Sequence, residues 1–153
     1  MLLARERAII QAVNRLLAEK GFEAMTVDQV AEDVGIAKAS LYKHFASKED
    51  LAAAAMADLM AQAQAFLDGL APALSAIDKL RTTVEWTMRL KLDGNMPTLP
   101  SQNSSLRAAL MVHKAYMHGL MDVSDRLGAW IEEAQQQGVL NPQIPAIAVL
   151  YTL

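Results

Sequence analysis

The chain of 153 residues contains no cysteine. This excludes a disulfide framework, a thiolate metal site and a cysteine nucleophile, and it suits a reducing compartment. Aromatic residues are scarce, at 5%, which argues against a β-sandwich, where aromatic and β-branched side chains fill the pleated faces. Long hydrophobic runs are missing as well: no stretch reaches the roughly 18 uninterrupted apolar residues of a membrane span. Arg5, Glu6, Arg7 and Asn14 interrupt the segment where the apolar core of a signal peptide would lie. A soluble, cytoplasmic protein without a membrane partner is therefore expected. A strong charge of either sign is also lacking. The net charge of −3 argues against a protein that coats nucleic acid along its length, but it leaves room for a local basic patch.

What is present is apolar bulk. At 53% hydrophobic, with nine Met, the chain can bury a sizeable core of Ala, Leu and Met, either as one domain or as a small head on a larger body. Charge is divided unevenly. Residues 1–48 carry seven Lys/Arg against six Asp/Glu, and residues 49–153 carry seven against eleven.

Periodicity reads as helix throughout. Ile9, Val13, Leu16 and Leu17 recur on one face of a first helix from Leu2 to Lys20, and Gly21 follows as its stop. Thr26 is placed to cap a helix of Val27 to Val34. Gly35 breaks that helix, and a third, Lys38 to Phe45, starts almost at once. Three short helices with a glycine turn between the second and third are the layout of a helix-turn-helix. Ser47 caps a long fourth helix, with Glu49 and Asp50 in its first turn, where the helix dipole favours negative charge; Gly69 and Pro72 end it. A fifth helix spans Ser75 to Leu92, the segment 93–101 reads as a loop, and a single long helix is expected from Ser104 to Gln137. Pro145 opens a last apolar helix, Ala146 to Leu153. The fold class is all-α: a three-helix helix-turn-helix head at 1–47, then a helical body at 48–153.

The segment Thr26 to Leu51 carries a specific pattern: Thr26 as cap, Val30-Ala31, Gly35 at the turn, Leu41-Tyr42-Lys43-His44-Phe45, then Ser47-Lys48-Glu49-Asp50-Leu51. It closely resembles the helix-turn-helix of the TetR/AcrR family of transcriptional regulators, and Ile9 to Phe22 resembles that family's first helix, so the likeness covers the first third of the chain. Two departures stand out: Glu6 falls where the family usually has Arg, and Val13 and Leu17 where it usually has Ala and Phe.

Physical reasons for these residues hold independently of the family. Ala31 is small because the second and third helices cross there, Gly35 allows a conformation a Cβ would oppose, and Val30, Val34, Leu41 and Phe45 form a core that fixes the third helix. Lys38, Ala39 and Ser40 would face base edges in a major groove. Tyr42, His44 and Lys48 would donate to phosphates. With Thr26 and Lys43 these make the candidate DNA-binding set. The alternative is that Tyr42 and His44 are packing residues and Lys38, Lys43 and Lys48 a solvated face.

Elsewhere the signals are weaker. His118, Asp122 and Asp125 share a helical stripe that could hold a metal, but Lys114 on the same stripe favours a solvated face, and no metal or cofactor is expected. His113 and Tyr116 fall on the apolar face. With Trp86, Thr87, Met88, Met117 and Met121 they are candidates for a mostly apolar ligand pocket, or else internally bonded core residues. Trp130 reads as a packing or interface residue. No catalytic arrangement is recognisable, so no enzyme is expected.

The resemblance implies a homodimeric repressor that binds a palindromic operator in double-stranded DNA and is released by a small hydrophobic or weakly polar effector. It also implies that the body at 48–153 is a ligand-binding and dimerisation domain with two further helices that pair across the dimer, so either the body is incomplete after Leu153 or the dimer is built differently. Two rival classes are an architectural DNA-binding protein without a ligand, and a small-molecule binding protein or enzyme with a vestigial head.

Overall fold

The structure, a computed structural model, describes residues 4–97 and 104–145. Seven helices and no strand occur among the described residues: α1 (Ala4–Ala24), α2 (Val27–Val34), α3 (Lys38–Tyr42), α4 (Lys48–Asp68), α5 (Ala76–Leu92), α6 (Ser104–Val112) and α7 (Lys114–Gln136). The expected helix at Ala146 to Leu153 lies outside the described residues.

Helix boundaries follow local chemistry. The continuous run of α1 conceals a break at Gly21, where φ 80 and ψ 169 leave helical space, so the expected stop is present and only Phe22 to Ala24 continue beyond it. Thr26 caps α2 with a full capping box: its Oγ1 accepts from the Gln29 N–H, and the Gln29 side chain accepts from the Thr26 N–H. Gly35 closes α2 in the left-handed conformation, at φ 80 and ψ 32, and the Gly35 and Ile36 N–H groups both return to the Ala31 carbonyl. Ser47 and Ser75 cap α4 and α5 through the Asp50 and Asp78 N–H groups.

Two expectations need correction. The third helix ends at Tyr42 rather than Phe45, its last residues turning through bonds from Lys43, His44 and Phe45 back to the Ser40 and Leu41 carbonyls. The long helix from Ser104 to Gln137 is two helices, because His113 is extended (φ −82, ψ 106) and caps α7, its Nδ1 accepting from the Tyr116 N–H at 3.2 Å. No Gly or Pro marks this break, so periodicity reads through it.

The apolar side chains form two buried clusters. The first gathers Ile9, Ile10, Val13 and Leu17 of α1 with Phe22 and Met25, Val30 and Ala31 of α2, and Leu41 of α3; it also takes in Leu51, Ala52 and Ala55 of α4 and Leu106 of α6. Fully burying a side chain such as Leu41, 1% exposed, contributes about 1.5–3 kcal/mol. The second cluster joins Leu67, Leu80, Leu127 and Ile131, with Phe66, Ile77 and Trp130 packed against it. Helix α4 thus feeds both. It also crosses α7 very closely: a Cβ placed on buried Gly119 would stand 2.7 Å from the Met60 Cβ, so only glycine fits there.

Candidate nucleic-acid interface

Helix α3 is short and one-sided. Leu41 anchors it in the head core, while Lys38, Ala39, Tyr42 and Lys43 are exposed and Ser40 is half-buried. Its platform is braced by polar contacts: an Arg15–Asp33 ion pair ties α1 to α2, and Lys38 Nζ reaches Asp28 of α2 at 3.2 Å. Both are surface pairs, worth at most about 1 kcal/mol each, so the apolar core rather than these bridges sets the angle of α3.

Two residues of the candidate set have partners that spacing alone did not reveal. His44 Nδ1 stands 3.4 Å from Glu6 Oε1 on α1, so the residue at the family's usual Arg position faces an imidazole. Lys48 Nζ donates to the Glu23 carbonyl at 3.2 Å and lies 4.4 Å from the centre of the Phe22 ring, which pins the start of α4 to the end of α1. Thr26 is committed to its capping box, yet remains exposed. Signals for these partnerships were present in the sequence as an acidic residue at position 6 and an aromatic one at 22, but only folding brings them together.

The candidate ligand residues are distributed over several places. Thr87 and Met88 line a cleft of about 590 Å³ between α1 and α5, with Ala18, Lys91 and Met96. His113 lines a different cavity, of about 500 Å³, against α1 and α4. Trp86 stacks on Phe66 at 4.7 Å between ring centres. Tyr116 and Met117 are half-buried, and burial pushes the Tyr116 phenol above its ordinary value. Met121 is 61% exposed.

The His118 stripe is organised by hydrogen bonds. Asp122 accepts from Gln64 Nε2 at 3.0 Å and lies 3.5 Å from Arg126, which also pairs with Asp68 at 2.9 Å. Among the described residues no cluster of three or more His, Asp or Glu could hold a metal, and no helix is long and apolar enough to cross a membrane.

A family profile described as bacterial regulatory proteins, tetR family, matches residues 9–55, which take in α1 from Ile9 onward, the helix-turn-helix and the start of α4. Over that stretch the chain resembles the TetR family. In sequence it is 45% identical over 47 residues to YerO of Bacillus subtilis, an uncharacterized HTH-type transcriptional regulator, and 40% identical over 48 residues to the HTH-type transcriptional repressor KstR2 of Mycobacterium tuberculosis. Each match takes 31% of this chain, but only 16% of YerO and 24% of KstR2, so the chain spans only a small part of the length of these relatives. The all-helical arrangement extends further: a TetR-family regulator structure from Agrobacterium tumefaciens superposes with a TM-score of 0.73 at 21% identity, over 97% of this chain and 80% of that one.

Proposed function

We propose that this protein is a ligand-responsive repressor of the TetR type that binds a palindromic operator as a homodimer and releases it when a small hydrophobic or weakly polar effector binds the body. The observation that carries the reading is α3: a five-residue helix anchored on buried Leu41, with Lys38, Ala39 and Tyr42 exposed. That arrangement suits insertion of Lys38, Ala39 and Ser40 into a major groove, with Tyr42, Lys43, His44 and Thr26 toward the backbone. Lys48 fits as well, since an ammonium has three donors and the Glu23 carbonyl takes one. The proposed division places the head at 1–47 and the body at 48–153. Trp86, Thr87, Met88, His113, Tyr116, Met117 and Met121 remain the candidate effector residues, and the reading places the protein in the cytoplasm.

Release would be a population shift: an effector that prefers the geometry unable to bind DNA weakens operator binding by the same factor that operator weakens effector binding. The test is selection of bound duplexes from a random library, followed by salt titration of variants on the selected and on random DNA. Lys43→Ala is expected to weaken both alike and to lower the salt slope by about one per half-site. Ser40→Ala and Lys38→Ala are expected to cost about 1–3 kcal/mol per half-site on the selected operator only. Equal losses on both duplexes for every variant would overturn specific readout by α3. A stoichiometry other than two chains per palindrome would overturn the simple dimer.

A further inference from the structure

Histidine is the side chain whose ordinary titration crosses neutral pH, and the chain has three. One of them, His44, stands in the turn between α3 and α4, in the stretch that the repressor reading lays against the DNA backbone. Its Nδ1 lies 3.4 Å from Glu6 Oε1 of α1, the two side chains being 27% and 29% exposed. Nε2 has no hydrogen-bond partner among the described residues. The other charged or titratable groups around the ring are Arg7 of α1, Asp58 of α4 and His113 between α6 and α7, which line one cavity with it. Lys43 is its neighbour in the chain, and Lys48 at the start of α4 is turned to the Glu23 carbonyl.

The Glu6 contact determines where a neutral ring keeps its one proton. A bare Nδ1 lone pair against a carboxylate oxygen is repulsive, whereas an Nδ1–H donates to it. The neutral ring is therefore the Nδ1–H tautomer, and Nε2 is left as an acceptor. A phosphate oxygen is an acceptor too, so the two cannot bond, and the Glu6 carboxylate adds a like charge beside the phosphate. A second proton reverses both conditions. The imidazolium donates from Nδ1 to Glu6 and from Nε2 to the phosphate, in a charge-assisted bond, and its charge offsets that of Glu6.

We infer that Glu6 is a positioning residue: by holding the Nδ1 edge of His44 it makes the DNA contact of this histidine depend on a proton. DNA binds the doubly protonated ring, so each head takes up as much as about one proton from solvent on binding. Whatever DNA binding does to the proton, the proton does to DNA binding, and affinity rises as pH falls through the titration range of the ring. The DNA contact rests on the repressor reading proposed above, whereas the tautomer of the free ring does not.

The test has two arms, both on the whole chain. Without DNA, long-range proton–nitrogen NMR spectra at about pH 8.5 report which ring nitrogen of His44 carries the proton. Nδ1–H is expected, and an Nε2–H ring would overturn the assignment. With DNA, affinity for a duplex of random sequence is measured at constant ionic strength from about pH 6 to about pH 8.5, because a backbone contact is blind to sequence. Affinity is expected to fall at least tenfold across that range, and calorimetry in buffers of unequal ionisation enthalpy to detect proton uptake by the unaltered protein. His44→Gln is expected to reduce the fall to less than threefold. Glu6→Gln is expected to tighten binding at the alkaline end and to halve the slope against pH, and to leave the slope alone once His44 is already replaced. Each variant is checked for an unchanged far-ultraviolet spectrum; if His44→Gln fails, the proton count and Glu6→Gln decide the matter. A duplex bound with a flat profile, or a slope that survives His44→Gln, would overturn the proton-dependent contact and leave the repressor reading standing. Binding to no duplex at any pH would overturn both.

Discussion

At the scale of single residues, the most informative side chains are those with two claims on them. Asp122 is one. The Gln64 amide and then the Arg126 guanidinium hold its carboxyl below the ordinary value of 3.8, against the opposing pull of desolvation. A folded-state value below the unfolded one means that the stabilisation is fully present above the unfolded value and is lost as pH falls through the folded one. The urea midpoints of wild type and Asp122→Asn are therefore expected to differ at pH 7 and to converge as the pH is taken below 3.8, measured by circular dichroism at fixed ionic strength; a constant difference would exclude this linkage. Lys48 and His44 show the limits of sequence reading at this scale. Their membership of the head followed from spacing, because the Leu41-Tyr-Lys-His-Phe45 pattern is local. Their partners Glu23 and Glu6 lie 25 and 38 residues away in sequence, and nothing in a periodic pattern encodes which distant carbonyl or carboxylate a long polar side chain will meet.

At the scale of elements, starts and stops were legible wherever a residue type carries its own reason: Thr26, Ser47 and Ser75 as caps, and Gly21 and Gly35 as breaks. The break at His113 was not, because an imidazole is an unusual cap and apolar spacing continues on either side. That junction yields a direct expectation. His113→Ala removes the acceptor for the Tyr116 N–H and is expected to cost about 0.5–2 kcal/mol, with His113→Asn restoring most of it, as an amide oxygen caps well. Chemical denaturation of the three proteins checks this, and an asparagine variant no more stable than the alanine would show that the cap is not what holds α7's first turn. The candidate effector residues are a similar case. The apolar face shared by His113 and Tyr116 was readable, but the other candidates sit on α5, and Thr87 and Met88 open on one cleft while His113 opens on another, because spacing within a helix does not say how two helices face each other.

At the scale of the whole molecule, α4 connects the two apolar clusters, giving Leu51, Ala52 and Ala55 to one and Leu67 to the other, and it touches α7 most intimately at Gly119. Gly119→Ala places a methyl group 2.7 Å from the Met60 Cβ and is expected to cost about 1–3 kcal/mol through overpacking. The measurement is a lowered urea midpoint at unchanged slope, and a neutral substitution would mean the two helices slide apart freely. The same crossing has a mechanical meaning. A point where two rods touch without room to separate is a fulcrum, and Met60 divides α4 unequally: at about 1.5 Å per residue, the arm toward Lys48 is roughly 18 Å and the arm toward Asp68 roughly 12 Å. Rocking on that point, a push of about 1 Å at the Asp68 end emerges as about 1.5 Å in the opposite direction at the Lys48 end, where Lys48 fastens the rod to α1. The geometry is that of a lever with gain greater than one, its long arm ending in the head.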